Sequence, residues 1–192
     1  MERQSHSEIQ SEAVYSPAAR HLHWLTVLIV AIMIPLGLYM VQRGKVTDFD
    51  ALTGSLYDLH KFLGFVLLWV VVARLLYRLR NGAPPDEPTL EPWQKAASHV
   101  THWSLYLLLL AVPLLGWLGV SLYGARGIFG LFSLPAIAAQ NQDAATTVFL
   151  VHFLAAMLMT ALIAAHVGAA LYHHFIRRDG VLRRMLPGLR RR

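Results

Sequence analysis

Four histidines, His23, His60, His152 and His166, stand in or at the ends of long apolar stretches. An ionisable side chain placed in hydrocarbon is costly, so it normally has a partner or a task. His152 and His166 are fourteen residues apart in a single apolar run. At ~100° per residue that interval returns to nearly the same helix face, and at ~1.5 Å rise it separates the two rings by ~21 Å. One helix therefore presents two ligands along one flank, at two depths of a bilayer. Neutral imidazole is an ordinary axial ligand of haem iron, and this spacing suits two stacked haems. The same ~21 Å forbids all four histidines from sharing one tetrahedral zinc ion.

The elements that must carry these rings are visible as blocks. The chain has 192 residues, 56% of them hydrophobic. The apolar residues cluster in stretches 24–41, 62–77, 103–123 and 146–175, each comparable with the ~20 residues a bilayer core demands. The pattern predicts an all-α, integral membrane four-helix bundle spanning residues 17–178, with a polar segment at 1–16 and a basic tail at 179–192. Ser16-Pro17 reads as a cap followed by a first-turn proline, so helix one starts ahead of its apolar core. The first apolar run follows a polar stretch and has no small-residue cleavage site after it, so it reads as a retained span. Pro35 and Pro113 fall inside the first and third spans, where proline is tolerated and often kinks the helix. Residues 42–58 and 124–142 read as outer connections and 82–93 as an inner one.

Charge sets the orientation. The tail carries Arg177, Arg178, Arg183, Arg184, Arg190, Arg191 and Arg192 against Asp179, and Arg78, Arg80 and Lys95 follow the second span. Positive charge accumulates on the cytoplasmic side, so both termini are expected on the cytoplasmic face of the membrane. The arginines then serve topology and anionic lipid rather than nucleic acid. There is no cysteine, which excludes thiolate-held clusters and covalent haem attachment, so any haem is of the b type.

With helices one and three running outward, depth pairs His60 with His152 outside and His23 with His166 inside. Each pair draws on two helices, and ligands on both faces of an iron favour electron transfer over oxygen binding. Two alternatives stand beside these four. His21 lies two residues from His23 and faces nearly the opposite way, so only one of the two points inward. His173 matches His23 better in depth than His166 does, but it would separate the irons by ~30 Å, the whole hydrocarbon thickness. Tilt and an early helix start absorb the mismatch and keep His166.

Several segments resemble the bacterial cytochrome b561 family of four-helix dihaem membrane proteins. They are Arg20-His21-Leu22-His23-Trp24, Leu59-His60-Lys61-Phe62-Leu63-Gly64, the run from Val71 to Arg80, His99-Val100-Thr101-His102 ahead of Pro113, and His152 with Ala164-Ala165-His166-Val167-Gly168. The resemblance covers nearly all the chain after Ser16. It implies His23 over His21 and His166 over His173 as ligands, two haems b as cofactors, and a quinone such as ubiquinone as one partner. Some members resemble superoxide:quinone oxidoreductases, which would make the protein an electron-transfer enzyme. Steering of superoxide would want a positive outer face, yet Arg43, Lys45, Lys61 and Arg126 are balanced there by Asp48, Asp50, Asp58 and Asp143.

Other polar residues are candidate contacts. Arg74, near the inner end of the second span, either meets an anion such as a haem propionate or snorkels to the inner headgroups. His99 and His102 share a face at the start of helix three and would reach propionates or a quinone head. His173 lies at the inner boundary near the inner haem. Met157 and Met159 read as packing residues. Two rival functions remain in view: a membrane anchor joining a redox partner protein to quinone, and a haem-free histidine-lined metal transporter.

Overall fold

A computed structural model describes residues 14–186. The polar residues before 14 and the terminal arginines Arg190, Arg191 and Arg192 lie outside the described residues. Four helices follow one another: α1 (Pro17–Val46), α2 (Ala51–Asn81), α3 (Pro92–Tyr123) and α4 (Gln142–Tyr172), the last continued by a π-helical turn at His173–Arg177. All four are long and apolar enough to cross a membrane. The chain is a membrane four-helix bundle, as the hydropathy blocks predict.

Helices α1, α2 and α4 each begin at a residue whose side chain satisfies a free amide. Ser16 accepts from the Ala19 amide and is followed by Pro17, the start read from the sequence. Asp50 accepts from the Thr53 amide, and Asn141 from the Ala144 amide. At α3 the Gln94 side chain accepts from the Glu91 amide, with Pro92 in the first turn. Gly124 ends α3 at φ 91°, in the left-handed region that glycine enters without strain.

Two connections differ from the sequence reading. The first outer connection shrinks from 42–58 to 47–50, because α1 continues to Val46 and α2 opens at Ala51. His60 therefore lies well inside α2 and not at its opening. Hydropathy locates the lipid-facing part of a helix; the helix itself runs on wherever caps and internal hydrogen bonds carry it. In the second outer connection a small antiparallel hairpin forms, β1 (Gly127–Ile128) with β2 (Phe132–Ser133), pairing Gly127 with Ser133 and Ile128 with Phe132. Pro35 and Pro113 sit within unbroken helices.

α1 packs on α2, α2 on α3 and α3 on α4. The core joins Ile29, Val30, Leu67, Val71, Leu105, Leu109, Val112 and Met159. On every helix these residues fall between the inner and outer site residues described below, so an apolar layer separates two polar levels. Met159 is a packing residue of that layer, halfway between His152 and His166.

The inner end is closed by the chain itself. The described part of the expected tail folds back across the bundle. The Tyr15 amide donates to the Arg184 carbonyl at 3.2 Å and Trp24 Nε1 to the Met185 carbonyl at 3.2 Å. Arg184 pairs with Glu87 at 3.1 Å and also donates to the Pro85 carbonyl. Arg177 donates to the Thr89 carbonyl at 3.0 Å. These contacts tie the end of α4, the start of α1 and the α2–α3 connection together.

Candidate functional site

The helices gather the chemistry into two levels. On each helix two site residues stand fourteen positions apart, hence on nearly one face and ~21 Å apart in height. α1 carries His23 and Gly37, α2 carries His60 and Arg74, α3 carries His102 and Gly116, and α4 carries His152 and His166. Because neighbouring helices alternate in direction, the outer level collects Gly37, His60, Gly116 and His152. The inner level collects His23, Arg74, His102 and His166.

At the outer level the rings of His60 and His152 have centroids 6.2 Å apart, steeply inclined at 79°. His152 Nδ1 lies 2.9 Å from the Val112 carbonyl. A carbonyl only accepts, so Nδ1 carries the proton and Nε2 keeps a free lone pair, the usual arrangement of a metal-ligating histidine. The Nδ1 of His60 is buried and has no hydrogen-bond partner. Both rings lie against glycine. A Cβ on Gly37 would stand 3.0 Å from His60 Cε1, and one on Gly116 would stand 3.2 Å from His152 Cε1. Sequence reasoning missed these two glycines. Their signal was available as glycines inside helical patterns, each fourteen residues from a histidine.

At the inner level His23 and His166 have ring centroids 6.5 Å apart, inclined at 72°. His102 joins them, its ring 5.1 Å from that of His166, with its Nδ1 held 2.7 Å from the Ser98 carbonyl. Arg74 Nη2 lies 2.9 Å from His23 Nδ1, and its guanidinium stands 5.1 Å from the Tyr106 ring centre. A guanidinium only donates, so His23 Nδ1 accepts here. The remaining candidates fall elsewhere. His99 is exposed and pairs with Asp86 at 3.1 Å. His173 is buried against Asp179 at 2.5 Å, inside the fold-back of the inner end. His21 is exposed.

Two imidazoles bound to one ion from opposite sides, at ~2 Å per bond, hold their ring centres ~6 Å apart. Both pairs have that separation, and His152 has in addition the carbonyl-anchored Nδ1 of a ring that ligates through Nε2. The outer pair fits an iron held between two helices; the inner pair has the same ring separation, but ligation by His23 through Nε2 requires its Nδ1 to give up the hydrogen bond from Arg74. Among the described residues, no three His, Cys, Asp or Glu side chains converge on one ion, so the transporter reading gains nothing from the geometry.

A bundle of four membrane helices with imidazoles paired at two depths is the architecture of a membrane cytochrome of the b type. The chain belongs to the prokaryotic cytochrome b561 family, whose model it matches over residues 14–188. It is 34% identical over 173 residues to cytochrome b561 homolog 2 of Escherichia coli strain K12, covering 90% of each chain. Identity to cytochrome b561 homolog 1 of the same organism is 32% over 174 residues, covering 90% of this chain and 97% of the relative. It is also 35% identical over 130 residues to the probable superoxide oxidase CybB of Yersinia pestis, covering 67% of this chain and 73% of that one. The protein is a multi-pass bacterial membrane protein of electron transfer, with haem b as its cofactor.

Proposed function

We propose that the protein holds two haems b and carries electrons between the outer and inner halves of the bacterial inner membrane, exchanging them with a quinone. His60 and His152 would hold the outer haem, His23 and His166 the inner one. The observation that carries this reading is the recurrence of the same ring separation, 6.2 and 6.5 Å, at two levels of one helix, α4. Bound haem supplies the one-electron chemistry; the protein supplies ligation, spacing and electrostatics. The helices hold four imidazoles at fixed heights. The layer around Val71, Leu109 and Met159 keeps water from between the two levels. Arg74 places a positive charge beside the inner pair, where a haem carboxylate would be its natural anion. The arginines of the inner connection and tail favour both termini in the cytoplasm.

Superoxide is the first donor to test, because a relative bears the name of a probable superoxide oxidase. Two superoxides would each be oxidised to dioxygen at the outer face, and the two electrons, taken up with two protons, would reduce one quinone to quinol. Long-range attraction of the anion has little to work with. Arg43 is paired with Asp50 at 2.5 Å and Lys61 with Asp58 at 2.7 Å.

The reading is tested by counting haem. Purified protein should give two haems b per chain by its pyridine haemochrome, with His60→Ala and His23→Ala each retaining one spectrally distinct haem. A single haem in the parent protein would overturn the dihaem reading. Quinone reduction by superoxide no faster than in protein-free membranes would remove superoxide as donor and leave the cytochrome standing.

A further inference from the structure

We propose that Asp58 and Lys61 are positioning residues of the outer site. They clamp the hairpin of β1 and β2 to α2 and so fix the aim of His60, which lies between them in sequence. Lys61 is thereby a fastening and not a landing point for an anionic substrate.

The clamp is complete. An ammonium has three N–H groups. Those of Lys61 face Asp58 Oδ1 at 2.7 Å, the Ala125 carbonyl at 3.2 Å and the Gly127 carbonyl. The other oxygen of Asp58 accepts from the Phe129 amide at 2.7 Å. Both side chains are largely covered, with 14% and 23% of their surface exposed, so the charges are spent locally. Phe129 is held at φ 50° beside Gly130 at φ 69°, a backbone region that bulky residues seldom occupy. The hairpin in turn buries Ile128 completely and Leu134 nearly so. Arg126 donates to the Leu134 carbonyl at 2.7 Å, closing the connection on itself, and Trp117 of α3 donates to the Pro135 carbonyl at 2.9 Å, which pins it to that helix.

His60 needs such a device. The ring of His152 is oriented by the Val112 carbonyl, but His60 Nδ1 has no hydrogen bond at all. The aim of His60 therefore depends on where α2 stands and how it is rotated. Asp58 and Lys61 share one face of α2, with His60 turned away from it by more than 90°. A hairpin bolted to that face resists rotation of the helix and keeps the imidazole against Gly37.

The test uses the haem-loaded protein in nanodiscs, comparing Lys61→Met, Asp58→Asn, the double variant and Lys61→Arg. The two single variants remove opposite charges, yet a clamp requires them to act alike. Each should change the outer haem's low-spin resonance signal while leaving the inner one in place. Each should speed exchange of the Phe129 and Leu131 amides by ~10-fold or more. The double variant should be little worse than either single one, since partners in one interaction are not additive. Lys61→Arg, which keeps charge and donors, should stay near the parent. The result that overturns the proposal is opposite effects: slower reduction by superoxide in Lys61→Met, faster in Asp58→Asn, with signal and exchange unmoved. Loss of both haems in the single variants, with Lys61→Arg equally damaged, overturns it as well, because the pair then supports the whole bundle. The spectroscopic arm rests on the dihaem reading. One haem in the parent sinks that reading, whereas two haems with unchanged outer signals sink only the clamp.

Discussion

The two levels of the bundle share a repeat and differ in how they are finished. The outer level is made by removing bulk: α1 and α3 contribute Gly37 and Gly116, and the two imidazoles lie against them. The inner level is made by adding hydrogen-bonding groups: at the corresponding places α2 and α3 contribute Arg74 and His102. The outer site is consequently a matter of shape and the inner one of charge. Substitutions should sort the same way, with steric changes felt outside and electrostatic changes felt inside.

The largest effect is expected from filling the outer space. Gly37→Val and Gly116→Val each place a branched side chain where a lone Cβ would already stand 3.0 or 3.2 Å from an imidazole carbon. Overpacking of this kind costs ~1–3 kcal/mol, enough for a roughly tenfold or greater loss of occupancy. Outer-haem content should fall while the inner haem stays, measured by haem-to-protein ratio and by the two resonance signals. Gly168→Ala serves as the control, because a Cβ added there would meet nothing within 4 Å, and it should leave both haems in place. Equal loss of both haems in the valine variants would break the distinction between the levels.

A smaller effect, confined to the inner level, is expected for Arg74→Met. The variant keeps most of the side chain's length and removes the charge beside His23. A cation near a redox centre favours its reduced form, so its loss should lower the inner midpoint potential by ~60 mV, a tenfold change for a one-electron couple. The outer potential should stay within error in a redox titration. There is a second consequence at His23. An imidazole ligating through Nε2 carries its proton on Nδ1, where a guanidinium has no acceptor to offer. Arg74→Gln supplies a carbonyl there, so it should give the inner haem a signal shape different from that of both the parent and Arg74→Met, with the potential still lowered.

The sequence disclosed the rings and concealed their surroundings, for a physical reason. Fourteen-residue spacing and hydropathy are properties of one helix, so His152 with His166, the four spans and the pairing by depth were legible. The partners that finish each site lie on other helices. Val112 meets His152 across forty residues, and Arg74 meets His23 across fifty-one. Nothing local marks Gly116 as a place for an imidazole. His173 looked like a site residue because it sits at the inner boundary; its buried acid Asp179 lies in a segment that reads as tail. The charge balance of the outer face was correct as a sum, but only the fold reveals that its members cancel in contact, Arg43 with Asp50 and Lys61 with Asp58.

The smallest expected effect concerns the turn that registers α1 against α2. Gly37 lies ten residues before Thr47 and His60 ten residues after Asp50, so the turn at 47–50 brings them side by side. Asp50 holds that turn. Its carboxylate accepts from the Thr53 hydroxyl and amide at 2.7 and 2.9 Å and from Arg43 at 2.5 Å. Those hydrogen bonds, the Thr53 hydroxyl's above all, lower its pKa to about 2. A carboxyl whose folded pKa lies below the unfolded value of ~4 contributes stability that is complete above ~4 and fades as pH falls through about 2. Asp50 is solvent-exposed, so salt and water screen the effect. Between about pH 4 and about pH 2 the Thr53 and Gly54 amides should lose protection, and the outer haem spectrum should change before the inner one. Asp50→Asn keeps a capping oxygen but cannot titrate, so it should start slightly looser and then stay flat through that window. If acid disturbs the inner haem first, or the asparagine variant follows the parent curve, the outer register does not depend on this carboxylate.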